Sequence, residues 1–150
     1  MKFIFKLSIL SILVVLSSCG STKSTLKNVD NTALKPAIID NHFVINTYST
    51  DSKYGFDKDY PINIGFDHER FGERSAMYFF NALQGPNGEK ISFLKIDNCC
   101  PFPTTRSVMG GGILDIYEVK LEGTNTKFIL YVNIFDKGKL ECPKGFSLVK

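Results

Sequence analysis

The sequence has no large excess of charge of either sign. It carries 18 Lys and Arg against 15 Asp and Glu, and two of the basic residues, Lys2 and Lys6, lie close to the start. The rest of the chain is therefore close to neutral. Nucleic-acid binding needs concentrated positive charge, so we expect no nucleic-acid partner.

Motifs that mark catalytic and cofactor sites are also missing. There is no G-x-S-x-G and no C-x-x-C. Gly110–Gly112 precedes a predicted strand, whereas a phosphate-binding loop precedes a helix. His68 and Glu69 could serve acid–base chemistry, but acidic residues also favour helix N-termini because of the helix dipole. The sequence therefore predicts no catalytic residue, no cofactor and no metal.

Only one long apolar run is present, and it lies at the N-terminus. Lys2 and Lys6 precede Leu7–Leu16, which is apolar apart from two serines. This arrangement is typical of a secretory signal peptide, and the run is short for a membrane-spanning helix. The residues that follow, Leu16-Ser17-Ser18-Cys19, resemble the lipobox of bacterial lipoproteins.

The lipobox resemblance implies a membrane anchor. Residues 1–18 would be removed as a lipoprotein signal peptide, and diacylglycerol would be attached to the sulfur of Cys19, with a further acyl group on the new amine. Two or three acyl chains hold a protein firmly on a bilayer, whereas one holds it only marginally. Gly20-Ser21 has no Asp directly after Cys19, which resembles delivery to the outer membrane. We therefore expect a cell-envelope protein on the periplasmic face of that membrane.

Composition divides the remaining chain into a tether and one domain. Residues 19–35 are polar with scattered small residues, which predicts a flexible tether after the lipidated cysteine. Residues 36–150 have the size of a single globular domain.

The periodicity within that domain predicts an α+β fold. Ala76, Phe79, Phe80 and Leu83 share one face of a helix over about 73–84. The predicted strands are 42–48, 62–66, 90–96, 112–123 and 127–135, with a possible edge strand in "GFSLV". Strands and helices do not alternate, so we expect a mostly antiparallel sheet of about five strands with one main helix.

Three cysteines remain after Cys19. An oxidising periplasm favours a disulfide, and adjacent cysteines bridge only through a strained ring. We therefore expect Cys142 to pair with Cys99 or Cys100, a bridge worth roughly 4 kcal/mol by the loop-closure argument. The bridge would leave one buried thiol. The alternatives are a thiol-exchange centre, a metal site made by these cysteines with a histidine, and three reduced, buried thiols. The candidate histidines are His42 and His68.

A second candidate site lies at the beginning of the predicted helix. Arg70 and Arg74 are four residues apart and would share one helix face. Together with His68 they could bind an anion. A solvated helix edge is the simpler interpretation of the same pattern.

The segments "YGFDKDYPINIG", "NALQGPNGEKISF", "CCPF" and "LYVNIFDKGKLECPKGF" resemble a group of small uncharacterised Gram-negative lipoproteins over most of residues 54–146. Some members carry the name 2-dehydro-3-deoxyphosphooctonate aldolase. We expect a non-enzymatic module that binds an envelope protein or a small-molecule ligand, or that has a structural role. The alternatives are an enzyme acting on a sugar phosphate or another envelope substrate, and a periplasmic immunity or inhibitor protein.

Overall fold

The computed structural model describes residues 23–150, except for the side chains of residues 68–72. The predicted signal peptide and Cys19 lie outside the described residues. In chain order the elements are β1 (Ile38–Ile39), β2 (His42–Phe43), β3 (Ile62–Asn63), α1 (His68–Asn81), β4 (Leu83–Gln84), β5 (Ile91–Pro103), β6 (Gly111–Leu121), β7 (Lys127–Asn133) and β8 (Ser147–Leu148). Within this part of the chain, no helix is long and apolar enough to cross a membrane.

The main sheet has four strands in the order β3-β7-β6-β5. The pairs β5–β6 and β6–β7 are antiparallel, as predicted, whereas β3 lies parallel to β7. Two small pairs, β1–β2 and β4–β8, complete the strand content of the described residues. The α+β class and the mostly antiparallel pairing are confirmed, but the main sheet includes one parallel pair and has four strands instead of about five.

One helix packs on the sheet through the predicted apolar face. Phe79 and Phe80 are fully buried, and the ring of Phe80 lies 4.7 Å from that of Phe93 and 4.8 Å from that of Tyr117. The helix begins at His68, earlier than the predicted 73. It ends at Asn81 because Leu83–Gln84 leaves the helix to pair with β8.

The two faces of the main sheet have different surroundings. Phe128, Leu130 and Val132 point from β7 into the core, and the last two are fully buried. Ile129, on the opposite face of β7, is 40% exposed. The middle of β7 is therefore buried on the face toward the helix and partly exposed on the other face.

Residues 27–35 are docked on the domain, whereas the sequence predicts a flexible tether over 19–35. The Lys27 N–H donates to the Asp59 carbonyl at 2.9 Å, and the Asp30 N–H to the Lys137 carbonyl at 2.8 Å. The amide of Asn28 donates to the Lys139 carbonyl at 2.9 Å. These partners lie far along the sequence, so composition alone could not reveal them.

A buried polar network joins this N-terminal segment to the end of β7. Asp136 Oδ1 accepts from the Asn31 amide at 3.1 Å and from the Thr104 hydroxyl at 2.8 Å. Its Oδ2 accepts from the Asn133 amide at 3.2 Å. The Asn133 amide also donates to Asn63 in β3 at 2.9 Å. One carboxylate therefore connects the N-terminal segment, the main sheet and the loop after β5.

Candidate functional site

The outer half of the β5–β6 hairpin is the least regular part of the main sheet. The register of β5 against β6 shifts between Lys95 and Asp97, and again between Cys99 and Phe102. Cys100 has φ +60°, in the left-handed region that non-glycine residues rarely occupy. Bulges of this kind redirect side chains and are frequent next to functional sites. This half of the hairpin is therefore the candidate functional site.

The sulfurs of Cys99 and Cys100 are bonded to each other. The expected bridge from Cys142 to one of them is therefore wrong. Cys99 and Cys100 are half-buried on β5, an edge strand, whereas Cys142 is packed in the core cluster beside Tyr48. The shift of register between Cys99 and Phe102 supplies the bend that two bonded neighbours require.

Cys142 is a buried thiol. Burial raises its pKa to about 12, and its S–H donates to the Pro143 carbonyl at 3.7 Å. A thiol that stays protonated at neutral pH is neither a good nucleophile nor a good metal ligand. The thiol-exchange and metal alternatives therefore receive no support from Cys142. Within residues 23–150, apart from the undescribed side chains, no group of three or more His, Cys, Asp or Glu could hold a metal ion.

An apolar concavity of about 720 Å³ lies directly after the disulfide along β5. Its main lining side chains are Pro101, Phe102, Pro103, Ile113 and Phe135, and the exposed Met109 borders it only at the outer rim. Ser107 and Gly110–Gly112 complete the lining. None of these residues carries an ionisable side chain. The concavity can therefore hold an apolar group, and it has no side chain suited to general acid–base chemistry.

Gly112 shapes the floor of the concavity. A Cβ at this position would lie 2.7 Å from Phe102 Cζ and 2.8 Å from Phe135 Cδ2. The two rings meet edge to face, with centroids 6.1 Å apart. The Gly110–Gly112 run is predicted to allow flexibility, a bulge or close approach of another backbone. The structure shows close approach at Gly112, but by the rings of Phe102 and Phe135 instead of by a backbone.

The loop Thr104–Gly110, which we call the hairpin tip, closes the concavity at one end. The Thr104 N–H donates to the Gly110 carbonyl at 3.1 Å. Arg106 donates from Nε to the Phe135 carbonyl at 2.7 Å and from Nη2 to the Gly65 carbonyl at 2.8 Å. The tip is thus held to the ends of β7 and β3. Val108 and Met109, which are 108% and 93% exposed, point away from the protein.

A polar cluster lies between the disulfide and the helix-facing core. Asp115 on β6 is fully buried, and its Oδ1 accepts from Asn98 at 2.6 Å and from Lys95 at 2.9 Å. Its Oδ2 is the buried side-chain atom that lacks a hydrogen-bond partner in the described structure. Burial, and then the charges of Asp115 and Glu73, raise the pKa of Tyr117. This cluster therefore lies close to the first half of α1.

The residues proposed for anion binding lie on that half of α1. His68, Arg70 and Arg74 all fall within the helix, although only Arg74 lies inside the predicted range 73–84. Arg74 is exposed, and the side chains of His68 and Arg70 are outside the described structure. His42 lies on β2 and lines a separate concavity with Leu148 and Lys150. The anion site remains a prediction.

Sequence reasoning missed the apolar concavity. Two signals pointed toward it: prolines alternate with Phe102 directly after the cysteines, and Val108-Met109 places two apolar residues inside a loop. These signals could not predict the concavity by themselves, because its lining also needs Phe135, which comes from the end of β7.

No protein-family model, curated protein or solved structure matches this chain.

Proposed function

We propose that this protein is a lipid-anchored component of the cell envelope, and that it binds an apolar group of another envelope molecule without catalysing a reaction. The observation that carries the binding role is the apolar concavity after the disulfide. It is a shallow, open concavity with an apolar lining, and small-molecule sites are lined mostly by apolar side chains.

The anchor part of this proposal rests on Lys2, Lys6, Leu7–Leu16 and the lipobox-like Leu16–Cys19. The disulfide between Cys99 and Cys100 fits an oxidising compartment, because cytosolic thiols are kept reduced. Together with the lack of Asp directly after Cys19, the lipobox-like motif and the disulfide favour the periplasmic face of the outer membrane.

The chemistry of the concavity favours binding over the enzymatic alternative. A sugar phosphate is usually held by cationic side chains or by a helix N-terminus. The concavity is lined by Pro, Phe, Met, Ile, Gly and Ser. An apolar chain or ring fits this lining better than a sugar phosphate does. A protein partner would therefore have to insert an apolar side chain into the concavity.

A charge placed in the concavity should abolish binding of an apolar probe. Ile113 lines the concavity and is 42% exposed, so Ile113→Asp should fold normally. We expect the affinity for N-phenyl-1-naphthylamine, measured by fluorescence titration, to fall at least about tenfold, which corresponds to about 1.4 kcal/mol. The reason is that the probe would have to desolvate a carboxylate.

Ile129→Asp is the matched control, because Ile129 has nearly the same exposure and does not line the concavity. Both variants are compared in protein that begins at Gly20, so that neither acyl chains nor the apolar run Leu7–Leu16 brings a vesicle or micelle that takes up the probe. Equal affinities in the two variants would contradict a binding role for this concavity. Turnover of a sugar phosphate by the purified protein would contradict the non-enzymatic part.

A further inference from the structure

The described chain begins beside the hairpin tip. Lys23 and Thr105 line the same concavity of about 420 Å³, together with Asp136. Cys19 is four residues before Lys23, and four residues span at most about 14 Å when fully extended. Acyl chains on Cys19 would therefore enter a bilayer close to the tip.

The hairpin tip presents two apolar side chains on a fixed loop. Val108 and Met109 have almost no protein contact, and the loop behind them is held by the bonds of Thr104 and Arg106. Because the loop is already ordered, little conformational entropy is lost when its apolar side chains enter another phase. The tip contains one basic residue and no acidic one, so it would not be repelled by anionic lipid.

We propose that the hairpin tip is a second membrane contact, with Val108 and Met109 inserted into the interface of the bilayer that holds the acyl chains of Cys19. This inference rests on the proposed lipid anchor. The short connection between Cys19 and Lys23 selects the bilayer as the occupant, because it brings the tip and the membrane within reach of each other.

The contact also gives the apolar concavity an orientation. Ser107, Met109 and Gly110 belong to the tip and line the concavity as well. With the tip in the interface, the concavity opens beside the membrane surface. An apolar group of a membrane-resident molecule could then enter it without crossing water.

The sequence contains no tryptophan, so a single introduced tryptophan can report how deeply the hairpin tip lies in the bilayer. Val108→Trp and Met109→Trp each create a single fluorescent reporter on the tip. Tyr48→Trp is the matched control: Tyr48 is 57% exposed and its hydroxyl accepts from the Leu148 N–H. Leu148 belongs to β8, whose partner β4 leads into the start of β5 at the opposite end of the hairpin.

The three full-length lipidated variants are reconstituted into vesicles of phosphatidylethanolamine and phosphatidylglycerol, with and without brominated acyl chains. We expect bromine to quench the tip tryptophans at least about twofold and to leave the control nearly unchanged. We also expect a blue-shifted emission for the tip reporters alone.

Intact-mass measurement and flotation of the same samples distinguish a failure of the membrane contact from a failure of the lipid anchor. An acylated, vesicle-bound protein with unquenched tip tryptophans would overturn the membrane contact and leave the anchor standing. A blue shift without quenching would also overturn it, since a second copy or another protein would then cover the tip. A chain without acyl groups that does not float with vesicles would overturn both proposals.

Discussion

Asp136→Ala is expected to lower the free energy of unfolding by about 3–5 kcal/mol, because it leaves several buried donors without an acceptor. The Asn31 amide, the Thr104 hydroxyl and the Asn133 amide all donate to this carboxylate. Asp136 and two of these partners are fully buried, so water cannot easily replace the lost oxygens. Equilibrium denaturation in urea measures the effect.

Two substitutions control this prediction. Asp136→Asn keeps one acceptor oxygen and should lose less stability than Asp136→Ala. Asp59→Ala removes an exposed carboxylate and should change stability by no more than about 0.5 kcal/mol. A loss below about 1 kcal/mol for Asp136→Ala would show that the network contributes little to stability, and that the N-terminal segment is held by other contacts.

Raising the pH from 8 to 11 is expected to remove about 3–5 kcal/mol of stability. Burial raises the pKa of Cys142 to about 12 from 9.0, and it raises the pKa of Tyr54 and Tyr117 above 10.0. The native protein keeps these protons at pH values where the unfolded chain releases them. Stability is therefore fully present below about pH 9 and falls as the pH rises.

Urea unfolding at pH 8, 9, 10 and 11 measures this dependence. Cys142→Ala removes the group with the lowest unfolded-state pKa, so it should reduce the difference between pH 8 and pH 11 by roughly half, whatever its own effect on stability. A wild-type stability that stays constant over this range would show that these side chains are accessible to solvent in the native protein.

Local patterns predicted the parts of the fold that depend on neighbouring residues. The β6–β7 hairpin was predictable because two apolar strands flank the turn-forming "GTNT", and Gly123 adopts the positive φ that such a turn needs. The apolar face of α1 was predictable from the spacing of Ala76, Phe79 and Phe80. The short lengths of β2 and β3 were not predictable, because they depend on which strands pair with β2 and β3.

The candidate site was less predictable because it combines distant segments. The cysteine pairing was wrong because the strain argument against adjacent cysteines ignored the bulge between Cys99 and Phe102. The tether predicted over 19–35 includes docked residues, because Asn28 and Asn31 have polar side chains that suit both a loop and a hydrogen-bonded docked segment. Their partners lie more than 100 residues later.

The most direct test of the anchored, oxidised protein is mass mapping of tryptic peptides, without reduction, from protein extracted from membranes. We expect a first peptide, Cys19–Lys23, carrying diacylglycerol and a further acyl group. Peptide Ile96–Arg106 should be lighter than its reduced form by two hydrogens, and the peptide with Cys142 should be separate and carry a thiol. A chain that retains Met1, or an unmodified Cys19, would contradict the anchor. A covalent link between Ile96–Arg106 and the Cys142 peptide would contradict the described pairing.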